Sequence, residues 1–181
     1  MQAQELIINI FERISQELDR ALMGLTQEDV NKQPSHDTNS IGWLMWHLTR
    51  YQDTTIKGLL GEEQLWVNDK WYIKFSRDAA PQDSGIGHTP KDVATFQSPD
   101  IQALLDYHHA VVEETKRYVS GLSEVKLEKK IDNPKWPTIG KRLEGLINDN
   151  YQHLGQIAYV RGLLKGQGWR EASLGIPKPK A

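Results

Sequence analysis

The chain has no cysteine, which removes disulfides, thiolate ligands and thiol nucleophiles together. It also has no long apolar run. The opening stretch, 1–20, carries acidic residues among its apolar ones and no basic segment ahead of a hydrophobic one. Neither a secretory leader nor a membrane span is expected there, and the simplest reading is cytoplasmic. Clustered positive charge is missing as well. Lys and Arg number 22 against 24 Asp and Glu, a net charge of −2, and the densest basic stretch, Lys126 to Lys130, is broken by Leu127 and Glu128. Nucleic acid is therefore not an expected partner. No phosphate loop or nucleophile elbow is present, and Gly85-x-Gly87 is too short to read as either.

What is present is an ordinary globular balance, 38% apolar and 25% charged over 181 residues, which suits one domain with a sizeable core. Four segments repeat their apolar residues at spacings of three and four. The first carries Leu6, Ile10, Phe11, Ile14, Leu18 and Leu22. The second, about 40–60, carries Ile41, Leu44, Leu48 and Tyr51, with Asn39 or Ser40 as cap and Gly61 as stop. The third follows Ser98-Pro99-Asp100, read as a cap with proline at the first helical position, and runs to about Leu122. The fourth is capped by Thr138 and ends at Gly166 and Gly168. Between the second and third, residues 61–97 lose the pattern, as a long lid-like crossover would. The expected fold is all-α: an antiparallel four-helix bundle over 1–181, with a long crossover between helices 2 and 3 and an irregular tail over 169–181. Six tryptophans, at 43, 46, 66, 71, 136 and 169, read as core or lid material.

Two histidines carry the chemistry. His47 lies midway along the second helix and His153 midway along the fourth, each on the inward stripe. A buried imidazole must satisfy two nitrogens, so a facing pair points to a shared ligand. Asp149 stands one turn before His153, an i, i+4 pair on one face. It is either a third ligand or an edge carboxylate paired with His153. Two imidazoles and a carboxylate suit a divalent ion such as Zn, Ni, Fe or Mn with coordination positions left open. Arg50 and Arg161 read as positioners of an anionic substrate or as exposed ion pairs. His108 and His109, beside Asp106 and Glu113, read as surface residues or, for one of them, as core-facing, and His36 and His88 as loop residues.

The stretch Ile41-Gly42-Trp43-Leu44-Met45-Trp46-His47-Leu48, followed by Thr49-Arg50-Tyr51-Gln52-Asp53, resembles the metal-bearing second helix of DinB/YfiT-like proteins. The stretch from Tyr151 to Gly162, with His153-x-Gly155-Gln156-Ile157 at its heart, is similar to that family's closing helix. The resemblance implies a metal pocket of three histidines, one from helix two and two from helix four. His47 and His153 match two of them, and Asp149 stands where the family has its other histidine. It further implies a homodimer and, for some members, transfer to a low-molecular-weight thiol such as mycothiol, bacillithiol or glutathione. The expected activity is that of a metal-dependent transferase or hydrolase acting on a small molecule, its catalytic residues beyond the metal ligands unassigned. The alternative is a non-catalytic, small-ligand-binding or stress-associated bundle with a structural or lapsed metal site. Trp46, Ile56, Val160 and Leu163 are the apolar residues in excess of one stripe, available to a dimer interface.

Overall fold

The four apolar stripes each wind into a long helix because each is bounded by a side-chain cap or a glycine stop. In the computed structural model, which describes residues 2–166, 168 and 169, they are α1 (Ala3–Leu22), α2 (Ile41–Leu60), α3 (Ile101–Ser120) and α4 (Ile139–Lys165). The Ser40 hydroxyl accepts from the Trp43 amide at the start of α2, and Thr138 accepts from Lys141 at the start of α4. Gly61, with φ of +71°, closes α2 in the left-handed conformation that a side chain disfavours. At α3 the expected cap shifts: Asp100 accepts from the Ala103 amide at 2.8 Å, so Pro99 lies before the cap and not at the first helical position.

Side-chain pairings fix the helix directions. Asp19 meets His109 and Glu12 meets Lys116, so α1 and α3 run oppositely. Tyr51 and Thr55 meet Arg142, while Gln52 meets Asn150, so α2 and α4 also run oppositely. Thr49 with His108 and Gln52 with Thr115 make α2 and α3 parallel. Arg161 reaches Ala21, and Phe11 clusters with Leu143 and Leu146, making α1 and α4 parallel. The order is up-down-down-up, and the long crossover is what allows α3 to run beside α2 in the same sense.

Residues 61–97 include short helical segments at Leu65–Asn68, Trp71–Lys74 and Pro90–Thr95. They are tied to the bundle by a buried polar knot. The Arg50 guanidinium donates to the carbonyls of Asp83 and Pro81 at 3.0 Å and lies 4.6 Å from the Trp66 ring. Asp53 accepts from the amides of Leu65 and Trp66 and from the Tyr107 hydroxyl. Arg50 is thus fully buried and structural, neither a substrate positioner nor an exposed ion pair. Trp46 and Trp66 are core residues too, and Trp46, Ile56 and Val160 are consumed inside the chain, leaving only Leu163 of the four spare apolar residues exposed. Of the tail, Trp169 packs against the core and stacks with Arg161; residues 170–181 lie outside the described residues.

Candidate metal centre

His47 reaches its position because α2 is buried almost all round: neighbours on both sides are core, so the imidazole has protein on every flank. Its ring stacks on Trp43, centroids 4.9 Å apart and planes within 8°. The Ser84 carbonyl, from the crossover, faces Nδ1. A carbonyl can only accept, so Nδ1 carries the proton and Nε2 keeps its lone pair. Gly85 makes that approach possible. Its φ is +86°, and a Cβ there would stand 2.8 Å from the Trp43 ring and 3.0 Å from His47 Nδ1. Burial pushes the His47 pKa down, the Ser84 contact partly opposing it and the neighbouring His153 adding to it, so the ring is neutral at neutral pH.

His153 is oriented in the same way from the other side. Its Nδ1 pairs with the Gln156 amide oxygen at 2.8 Å, again leaving Nε2 as the acceptor. The His47 and His153 rings meet edge to face, centroids 4.8 Å apart. Asp149 Oδ1 stands 3.7 Å from His153 Nε2, beyond hydrogen-bond reach, and its Oδ2 is buried without a partner. One donor atom from each of His47, Asp149 and His153 lies within 4.8 Å of the others, and among the described residues this is the group so arranged. Two basic nitrogens and an orphaned carboxylate oxygen converging on one point are a poor outcome for protein alone and suit a cation.

The remaining candidates fall elsewhere. Arg161 is buried and donates to the Ala21 carbonyl on α1. His109 is a surface partner of Asp19, as read, but His108 is not a surface residue. It is fully buried between α2 and α3, because the stripe through Leu104 and Val111 passes over it. His88 lies in a loop, as read, and is held there: it accepts from the Trp43 indole N–H at 3.1 Å and meets Asp83, itself paired with Arg77. Sequence reasoning gave no role at the site to Ser84, Gly85 or Gln156. Gln156 carried a signal, one turn after His153 on the same face; the two crossover residues carried none.

A family model described as the DinB superfamily matches residues 10–157, a span that includes all three side chains. The chain is also similar to a solved structure described as a conserved protein of locus from Enterococcus faecalis. The two are 32% identical over 92% of this chain and 99% of that one, with a TM-score of 0.84. Among curated proteins none matches.

Proposed function

The chain belongs to the DinB superfamily, and from that premise we propose that it is a metal-dependent enzyme whose divalent ion is held by His47, Asp149 and His153. The observation that carries the reading is three donor groups within 4.8 Å of one another: two imidazoles whose Nδ1 atoms are engaged, leaving Nε2, and an Asp149 carboxylate with one buried oxygen lacking a hydrogen bond. Zn, Ni, Fe or Mn is compatible with two imidazoles and a carboxylate. When bound, such an ion supplies Lewis acidity and lowers the pKa of a coordinated thiol or water. The chain has no thiol of its own, so transfer chemistry takes its sulfur from a low-molecular-weight co-substrate, and hydrolysis follows where water takes that place. The protein's part is to hold both rings in the metal-binding tautomer, through Ser84 and Gln156, and to shield the site with Trp43.

Metal titration into chelator-treated protein tests this. Wild type should take up about one ion per chain, and His47→Ala or His153→Ala should weaken binding by roughly 100-fold or more. Asp149→Ala should cost about 10- to 100-fold, whereas Asp149→His should keep or raise affinity for Zn and Ni. Binding that is unchanged in all four variants would remove the assignment. A metal-free wild type in which only Asp149→His binds would make this a lapsed site, and the non-catalytic ligand-binding bundle would stand in its place.

A further inference from the structure

The α2–α4 seam continues past the candidate metal centre into a second polar feature. Tyr51, one turn beyond His47, stacks on it with ring centroids 6.4 Å apart. Arg142 of α4 donates to the Tyr51 hydroxyl at 2.6 Å and to the Thr55 hydroxyl, with its guanidinium 4.9 Å from the Tyr51 ring centroid and 6.0 Å from that of Trp136. Trp136 cannot move freely, since it sits on the bare backbone of Gly145, where a Cβ would come within 2.4 Å of the ring. Arg142 is therefore held rigidly between two rings and two hydroxyls, all neutral. Among the described residues no carboxylate comes within ion-pair distance of it, although Lys141 beside it has Glu144 at 2.7 Å. Its place near the start of α4, where the first turn has no acidic residue, adds the positive end of the helix dipole.

An unneutralised, half-buried guanidinium faces a cavity of about 320 Å³ whose walls include Thr54, Thr55, Gly58 and Asn133. The Thr54 hydroxyl is buried without a hydrogen-bond partner. We propose that this cavity binds a carboxylate, held by the Arg142 guanidinium, and that it anchors the small molecule whose reacting end lies at His47, Asp149 and His153. The second half rests on the metal reading; the first does not. A single negative charge fits better than a phosphate dianion, because one cation serves the site and Asp132 also lines it. Arg142 and Asp149 are seven residues apart on one helix, so the anchored group stands roughly 10 Å from the reacting end.

Two titrations test the proposal. In metal-free protein, hexanoate, hexanamide and inorganic phosphate are added while the Trp136 indole N–H resonance is followed, assigned with Trp136→Phe. Hexanoate should shift it saturably, at least about tenfold more tightly than hexanamide or phosphate, the preference one charge-assisted contact supports. Arg142→Gln, which removes the charge and keeps a polar side chain, should abolish the preference. An equal response to hexanamide, a preference for phosphate, or an unchanged preference in Arg142→Gln overturns the anion site, and the wild-type comparison decides even if that variant fails to fold. In zinc-loaded protein, 8-mercaptooctanoate should bind at least about tenfold more tightly than octanethiol, and Arg142→Gln should erase the difference. Hexanoate binding without this gain would overturn the anchoring role while leaving the metal reading untouched; absence of bound zinc would overturn the metal reading while the first titration still judges Arg142.

Discussion

His47 and His108 are both buried histidines, and their ring nitrogens separate a site from a core residue. His47 has Nδ1 engaged by Ser84 and stands in donor-atom reach of another imidazole and a carboxylate; His108 has Nδ1 beside the Thr49 hydroxyl and a buried Nε2 with no partner. Burial holds the His108 pKa down to about 3 from an ordinary 6.5. Unfolding in the window between those values lets the ring take up a proton, so stability is full above pH 6.5 and is lost as the pH falls toward 3. The loss approaches roughly 5 kcal/mol at the acid end, at about 1.4 kcal/mol per pH unit. Urea unfolding from pH 7.5 to 4 should show His108→Leu with a distinctly flatter dependence than wild type, the residual slope including His47; parallel curves would refute this. Gly85 gives a second prediction. Alanine there must leave φ of +86° or press on Trp43 and His47, moving the Ser84 carbonyl off Nδ1. Gly85→Ala should destabilise by about 1–3 kcal/mol and weaken metal binding about 10- to 100-fold, read from urea curves and metal titration.

At the scale of elements, the site was legible where periodicity carries it and illegible where the chain leaves its helices. His47 and His153 fall on apolar stripes, and Asp149 stands one turn before His153, so spacing makes the three candidates; that their donor atoms lie within 4.8 Å of one another is visible only in the folded chain. Ser84 and Gly85 belong to a crossover without a repeat, and their role depends on a backbone approach that only tertiary structure shows. Arg50 was misread for a related reason: a charge on a helix suggests solvent until one sees that the crossover folds over it. That folding makes a prediction. Arg50 is fully buried beside Asp53, 3.6 Å away, and donates to two crossover carbonyls. Arg50→Met removes those donors and strands the Asp53 carboxylate, so a loss of about 3–5 kcal/mol is expected. Limited proteolysis should then cut within 61–97 under conditions where α1 and α3 remain intact. Cleavage no faster than in wild type would show that the crossover is held by its aromatic contacts instead.

At the scale of the whole molecule, the four long helices and the long crossover could be read from apolar spacing and loop composition; the expected antiparallel sense holds for α1 with α3 and α2 with α4, while the parallel sense of α2 with α3 and α1 with α4 follows only from which residues meet across the core. The same limit applies to assembly. Trp46, Ile56 and Val160 are spent inside the chain, so an interface has to be sought in what stays outside. Among the described residues an exposed apolar strip runs along α4: Tyr151 is 45% exposed, Tyr159 70% and Leu163 56%. Between these knobs lie Gly155 and Gly162, with open space above both, and shallow hollows flank the strip, one reaching Leu44 and Val160 and the other Leu154 and Trp169. Bulky residues beside bare helix backbone can complement themselves: if two α4 helices met about a two-fold axis, each tyrosine would have the partner's glycine to pack on. A homodimer through α4 is the expected state. Light scattering at tens of micromolar should give twice the chain mass, and Tyr159→Glu combined with Leu163→Glu should give a monomer without lowering helix content, since neither side chain is buried. A dimer that survives the double substitution would place the interface elsewhere, and a wild-type monomer would mean that the strip has no second copy to meet.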